Sequence, residues 1–292
     1  MTSPIVKSFS SQTASLKSGL YLVATPIGHL RDITLRALDT LHAADLIACE
    51  DTRVTATLLK AHGIATPTDS YHEHNAAAKR PALLKRIASG QAVALVSDAG
   101  TPLISDPGYK LVREAAAVGL RVEAVPGASS VLAALSISAL PTDRFCFCGF
   151  MPARTGEAKR MLTQAAAIPA TLIFFAPART LPATLALMVE TLGPRPAAVT
   201  RELTKLHEEA RRGGLAELAG HYAETGAPKG EVVIVIGPPQ AKEAPQDAAV
   251  DEAITRALAT LSLKDAAAFV AAQLGLPRSK VYQRALALKS HA

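Results

Sequence analysis

The sequence predicts an α/β protein: two α/β domains with a cleft between them, plus a small C-terminal helical segment. Three observations carry this. Short apolar runs alternate with helical patterns through the first half, the same rhythm restarts near Pro141, and a polar, proline-containing stretch from Pro238 to Asp247 is followed by helical patterns alone. The implied segments are a disordered tail over 1–18, α/β domains over 19–140 and 141–238, a linker over 239–248 and a helical segment over 249–292.

The elements follow in order. Leu20 to Thr25 is an apolar run ending at Pro26 and Gly28, a buried strand entering a tight turn. Asp32 is placed to cap a helix carrying Leu35, Leu38 and Leu41 on one face. Asp45 to Glu50 is a second strand, and Val54 to Ala61 a helix closed by Gly63. Ala92 to Asp98 is the clearest strand of this half and opens into the turn-rich loop AGTPLISDPG. A helix from Tyr109 to Val118, the strand RVEAV and a helix after PGASS complete the unit. In the second half RFCFCGF, TLIFFA, AAVTRE and EVVIVIG read as strands. AVDEAITRALATL, KDAAAFVAAQLG and RSKVYQRALALK read as three closing helices.

Composition narrows the class. The chain is 49% hydrophobic, enough for a proper core. Aromatics are 4% and Trp is absent, so Ala, Leu, Val and Ile must fill that core, which suits helices laid on parallel sheets. A net charge of +6 favours a polyanionic partner, weakly. Three cysteines, Cys49, Cys146 and Cys148, form no disulfide framework and point to a reducing compartment. The first residues are Ser/Thr-rich without the apolar run of a signal peptide, and no stretch approaches membrane-spanning length. The expected location is the cytoplasm, with no membrane partner.

Motifs then narrow the chemistry. There is no G-x-G-x-x-G after the first strand, no G-x-x-x-x-G-K-[ST] and no G-x-S-x-G, so dinucleotide, P-loop and serine-hydrolase readings lack support. The densest region is Ser97 to Gly108, a loop at the carboxyl end of a strand, where open α/β folds place ligands. Asp98 and Asp106 there accept from ribose hydroxyls or hold loop amides. Val125 to Ser130 repeats the arrangement at a helix start, whose amides suit a carboxylate or a simple cap at Ser129. Glu50-Asp51-Thr52-Arg53 gathers two carboxylates and a guanidinium, suited to orienting a hydroxyl or gripping phosphate, or else a solvated charge run. The H-x-H of Tyr71 to Asn75 and the C-x-C of Cys146 and Cys148 make poor structural-zinc spacing, and no metal is expected.

LYLVATPIGHLRDITLRALDTLHAADLIACEDTR, ALVSDAGTPLISDPGYKLVREA, VPGASS, LPTDRFCFCGF, RELTKLHEE and KGEVVIVIGP, in that order, resemble the small-subunit ribosomal RNA methyltransferases of the tetrapyrrole methylase superfamily over about residues 19–288. The resemblance implies two α/β domains of tetrapyrrole methylase type, with S-adenosyl-L-methionine bound folded in the cleft. It also implies a homodimer, and methyl transfer to the 2'-hydroxyl of a cytidine in the decoding region of 16S rRNA within the small ribosomal subunit. Carried over by position, the cofactor site includes Pro26, Asp98, Gly100, Thr101, Pro102, Ile104, Ser129, Ala176, Leu203, Lys229 and Gly230. His29 stands where that family usually has Asn, and Ala176-Pro-Ala-Arg179 replaces a more common Glu-Ser-x-His-Arg-like run.

The sulfonium methyl is already activated, so placement of the ribose oxygen and exclusion of water are the main demands. Glu50 and Asp51 are the candidate proton acceptors, with Arg53 orienting a carboxylate or an RNA phosphate. Arg31, Arg36 and Lys205 near the cleft, and Arg278 and Lys280 in the last helices, are the candidate RNA contacts. Two rival readings stand beside this: a tetrapyrrole or diphthine-type methyltransferase of the same superfamily, and a non-catalytic nucleic-acid-binding protein using KDAAAFVAAQLGLPRSKVY as a helix-turn-helix.

Overall fold

The computed structural model describes residues 16–239 and 247–290. The tail and linker expected from the sequence fall largely outside the described residues. Five strands of the first half form one sheet: β1 (Gly19–Val23), β2 (Leu46–Cys49), β3 (Thr68–Ser70), β4 (Ala92–Val96) and β5 (Val122–Val125). Their order is β3-β2-β4-β1-β5, parallel throughout. Helices α1 (Leu35–Ala43), α2 (Thr52–Ala61), α3 (Ala76–Ala88) and α4 (Tyr109–Ala117) cover both faces. Ala94 and Val96 join Tyr21, Val23 and Ile47 against Leu41 of α1 and Leu59 of α2. Val93 and Leu95 point the other way, against Leu83 and Ile87 of α3 and Leu111 of α4. A strand buried on both faces needs no polar alternation, so Ala92–Val96 reads as an unbroken apolar run. Each Val or Leu so buried contributes about 1.5–3 kcal/mol.

Two local expectations change. The cap of α1 is Thr34, whose Oγ1 accepts the Ala37 N–H at 3.1 Å, not Asp32. Asp32 instead ends a 3-10 turn, Leu30–Asp32, capped by His29, and Ile33 is extended, so the helix cannot begin before Thr34. The buried face of α1 is accordingly Ala37, Thr40 and Leu41, while Leu35 is 59% exposed. β3 is three polar residues whose strand character comes only from pairing Thr68 to Ser70 along Ile47 to Cys49.

The second sheet comprises β6 (Phe145–Phe150), β7 (Thr171–Pro177), β8 (Pro196–Arg201), β9 (Glu209–Gly214) and β10 (Glu231–Ile236), in the order β6-β7-β10-β8-β9. Only β6 and β7 are parallel; the other neighbours are antiparallel. Leu172, Phe174 and Ala176 face a core closed by Leu162 of α6 (Thr155–Ala165), Leu185 of α7 (Leu181–Leu192) and Leu218 of α8 (Leu215–Thr225). Ile173 and Val233 face the opposite way, onto Val131, Ala134 and Leu135 of α5 (Ser130–Ile137), the last helix of the first half. That helix joins the two lobes into one compact unit ending at Pro239.

Residues from Gln240 onward form a second unit. Its helices are α9 (Asp247–Leu258), α10 (Leu263–Leu274) and α11 (Arg278–Ser290), around Ile254, Val270, Val281 and Ala285. Ser262 caps α10, and left-handed Gly275 ends it. Arg284 is held by Asp247 at 3.0 Å and by Asp251. None of the described helices is long and apolar enough to cross a membrane.

Candidate active site

Two loops, one from each lobe, face each other where α5 joins the sheets. The first follows β4. Its Gly100 is clamped to Thr25 by paired backbone hydrogen bonds of 2.9 and 3.0 Å, and Thr101 Oγ1 donates to Ala128 O at 3.1 Å. The second follows β8, where the Glu202 carboxylate accepts from the Glu231 N–H at 3.0 Å and from Lys205 Nζ at 3.1 Å. Among the described residues, four of the five non-glycine positions at positive φ lie in these loops: Leu103, Ser105, Glu202 and Thr204. Each costs about 1–3 kcal/mol, and such strain gathers where backbone must meet a ligand. The lobes are pinned together at Gly28 and His29. The His29 N–H donates to Thr204 Oγ1 at 3.1 Å, and a Cβ on Gly28 would come within 2.9 Å of Leu203 O.

Between the loops lies a cavity of about 480 Å³. Asp98, Gly100, Thr101, Ile104 and Ser129 line it from the first lobe, and Ala176, Leu203 and Gly230 from the second. Eight of the expected cofactor residues therefore meet in one space. Three do not enter it. Pro26 lines a neighbouring cavity, Pro102 is buried in the loop, and Lys229 offers its carbonyl to Arg201. Ala176 belongs to the core facing α6 and α7, so its contribution to the cavity is main chain. The sequence reading passed over Ile27, Phe175, Glu231 and Val233, which also line the cavity. For Phe175, Glu231 and Val233 the one signal is strand alternation, which acquires meaning once the packed face is known; Ile27 lies in the turn after β1, where no periodicity marks it.

The carboxylates are arranged unequally. Asp51 caps α2, its Oδ1 accepting the Arg53 N–H at 2.8 Å, and pairs with the Arg53 guanidinium at 2.6 Å. Hydrogen bonds from Arg53 hold its pKa down to about 2. Arg53 itself is 88% exposed at the side chain. Glu50 is half-buried, and burial followed by the Asp98 charge raises its pKa. Asp98 Oδ1 accepts the Asp51 N–H at 3.0 Å. Asp106, on the cavity wall, is pushed up to about 6 by burial and then by Glu50. None of Glu50, Asp51 and Arg53 lines either cavity.

The second cavity, of about 350 Å³, is lined by Pro26, Gly28, Leu30, Val54, Leu58 and Lys205, and it shares Ile27, Asp98, Ala99 and Glu231 with the first. Of the basic candidates, Lys205 is here and bridges Glu202 and Glu231. Arg31 is exposed. Arg36 is turned to β5, donating to Ala124 O and pairing with Glu123 at 3.6 Å. Arg278 and Lys280 are exposed on α11 of the second unit. Cys146 and Cys148 lie half-buried on β6 against the outer core, and burial pushes the Cys148 thiol up to about 12.

Comparison with known proteins bears on this geometry. The family described as tetrapyrrole (corrin/porphyrin) methylases matches residues 19–219, and the one described as RsmI C-terminal HTH domain matches residues 244–289. A Mesorhizobium japonicum protein named ribosomal RNA small subunit methyltransferase I is 51% identical over 275 residues, covering 94% of this chain and 93% of its own. The Escherichia coli O157:H7 protein of the same name is 43% identical over 280 residues, covering 94% and 97%. Among solved structures, a diphthine synthase superposes with a TM-score of 0.58 at 18% identity, over 75% of this chain and 89% of its own. The uroporphyrin-III-C-methyltransferase of Thermus thermophilus gives 0.53 at 23%, over 75% and 94%. These two likenesses speak to the fold.

Proposed function

Because the chain belongs to the tetrapyrrole methylase family, among its small-subunit ribosomal RNA methyltransferases, we propose that it methylates 16S rRNA with S-adenosyl-L-methionine as donor. The acceptor we assign is the 2'-hydroxyl of a cytidine in the decoding region, presented in the small ribosomal subunit to a cytoplasmic homodimer. The observation that supports this is the larger cavity. Its size is that of a nucleoside-sized ligand site, and its walls mix apolar side chains with bare backbone. Gly100 at φ 80 and Gly230 at φ 98 line it without side chains, the Cβ position of Gly230 being taken by the Glu202 side chain. Ile104, Leu203 and Val233 suit an adenine, and the start of α5 at Ser129 suits a carboxylate.

The donor, when bound, supplies a methyl group already activated on sulfur. The chain's own tasks are to hold the ribose oxygen in line, exclude water and take the hydroxyl proton. Asp51 and Arg53 are committed to each other and to α2, so their part is to shape the loop after β2. Asp106, pushed up to about 6, is the carboxylate whose proton affinity suits a base near neutrality, and burial moves Glu50 in the same direction. Asp106 is the one on the cavity wall, with Glu50 behind it. The exposed Arg278 and Lys280 give the second unit a basic face for RNA phosphates.

The test is transfer of tritiated methyl from the donor to intact small subunits, with free 16S rRNA and uroporphyrinogen III as comparison acceptors. Label is expected in the RNA of the subunit, at a linkage resistant to alkali. Label in the tetrapyrrole alone, or no heat on calorimetric titration with the donor, refutes the proposal. Glu50→Gln and Asp106→Asn are each expected to lower turnover while donor affinity holds; full turnover in both would leave catalysis to positioning alone.

A further inference from the structure

The H-x-H motif after β3 splits in the fold: His74 is exposed and His72 is half-buried. β2 and β3 run parallel with Cys49 paired to Ser70, and the Tyr71 N–H donates to Cys49 O at 2.7 Å. Glu50, one residue past β2, and His72, two past β3, therefore leave the carboxyl ends of neighbouring strands side by side. Asn75 precedes α3, a position from which its side chain would ordinarily cap the helix, yet it makes no such bond. It turns back instead. Its Oδ1 accepts the His72 N–H at 2.9 Å and its Nδ2 donates to Ser70 O at 3.2 Å, so two backbone groups fix which end of the amide is which. The same Nδ2 lies 3.1 Å from His72 Nε2. An amide nitrogen only donates, so Nε2 must accept, and the neutral ring carries its proton on Nδ1. Nδ1 is buried with no hydrogen-bond partner among the described residues. The half-buried Glu50 carboxylate has none among them either. Burial and the Asp98 charge raise the proton affinity of Glu50, and the His72 imidazole is the neighbour that opposes them. A donor and an acceptor, each costly to leave unmet, thus stand at adjacent strand ends.

Resting on the methyltransferase reading above, we propose that His72 is a positioning residue, whose Nδ1–H, with its tautomer set by Asn75, orients the Glu50 carboxylate toward Asp106. The chain of Asn75, His72 and Glu50 then runs from the start of α3 to the cavity wall, where the Glu50 charge helps make Asp106 a proton acceptor. Neither His72 nor Asn75 lines either cavity, so both act through Glu50.

The first experiment reads the ring itself, by two-bond proton–nitrogen NMR of the full chain carrying isotope-labelled histidine at mildly alkaline pH. The His72 signals are those lost in His72→Gln. Expected are a ring protonated on Nδ1, a change to the Nε2–H form usual in water on Asn75→Ala, and a shift of the Nδ1 resonance on Glu50→Gln. The second experiment reads methyl transfer to intact small subunits. His72→Gln, whose amide falls near the Nε2 position, should lower turnover by about tenfold. His72→Asn, whose amide nitrogen reaches the Nδ1 position, should recover most of that loss. In a Glu50→Gln protein, His72→Gln should lower turnover by less than about a further twofold, because it acts through Glu50. An Nε2–H ring in the natural protein, an Nδ1 resonance indifferent to Glu50→Gln, His72→Asn no better than His72→Gln, or losses that multiply in the double variant each overturn the proposal. An Nδ1–H ring coupled to Glu50 in a protein that transfers no methyl to small subunits would count instead against the methyltransferase reading.

Discussion

Replacing Gly28 with Ala probes the point where the lobes are pinned and both cavities meet. The added Cβ would lie 2.6 Å from Lys205 Cγ, 2.7 Å from Thr204 Oγ1 and 2.9 Å from Leu203 O. The lysine stem can swing aside, but the other two have little freedom. Thr204 sits at φ 63, its hydroxyl accepts from His29, and its N–H is held by Glu208 at 2.5 Å. Leu203 is buried in the cluster with Ile27 and Val131. The methyl must therefore push the lobes apart. Overpacking of this kind costs about 1–3 kcal/mol. In a unit of this size each kcal/mol lowers the melting temperature by about 2–4 °C, so a fall of roughly 2–12 °C is expected. Leu203 walls the larger cavity, so donor affinity should drop as well, by about tenfold or 1.4 kcal/mol. Scanning calorimetry and isothermal titration with S-adenosylmethionine read both effects. Gly220→Ala, inside α8 with nothing near its Cβ position, is the control and should leave stability equal or higher. A Gly28→Ala protein melting within about 1 °C of the natural one, with unchanged donor affinity, would refute the pinning.

Three further outcomes follow from the same geometry. Asp106, raised to about 6, gives stability that is full below about pH 4 and lost as pH rises through 6. Asp106→Asn should therefore melt like the natural protein near pH 4 and higher at neutral pH; parallel melting curves across that range would refute the burial argument. Ser129→Asp keeps a good cap for α5 but sets a carboxylate where that of the donor is proposed, so donor affinity should fall at least about tenfold at an unchanged melting temperature. Calorimetry showing equal affinity would move the donor carboxylate elsewhere. Changing Arg278 and Lys280 together to Ala should reduce the slope of log affinity for RNA against log salt by about 2. An unchanged slope would take α11 out of the RNA contact.

The alternating strands and helices, the loop after β4 and the three closing helices were legible because each is a local pattern: apolar runs ending at Pro or Gly, and caps at fixed offsets. The family resemblance drew on the same loops, and eight of its cofactor residues converge on one cavity. Other features depended on neighbours distant in the chain. β3 and β9, Thr-Asp-Ser and Glu-Ala-Arg-Arg-Gly-Gly, have no strand-like composition and exist through the ladders they extend. The antiparallel neighbours of the second sheet are likewise a matter of which strands pair, which periodicity does not encode. Glu50, Asp51 and Arg53 share one tetrapeptide, yet Asp51 and Arg53 close on each other to cap α2 while Glu50 turns toward Asp98 and Asp106. Sequence determined the chemistry available at each loop, since residue type and spacing are local properties. Tertiary structure decided which of those groups face a common space, because burial and long-range pairing depend on residues nearly two hundred positions apart, as His29 and Thr204 are.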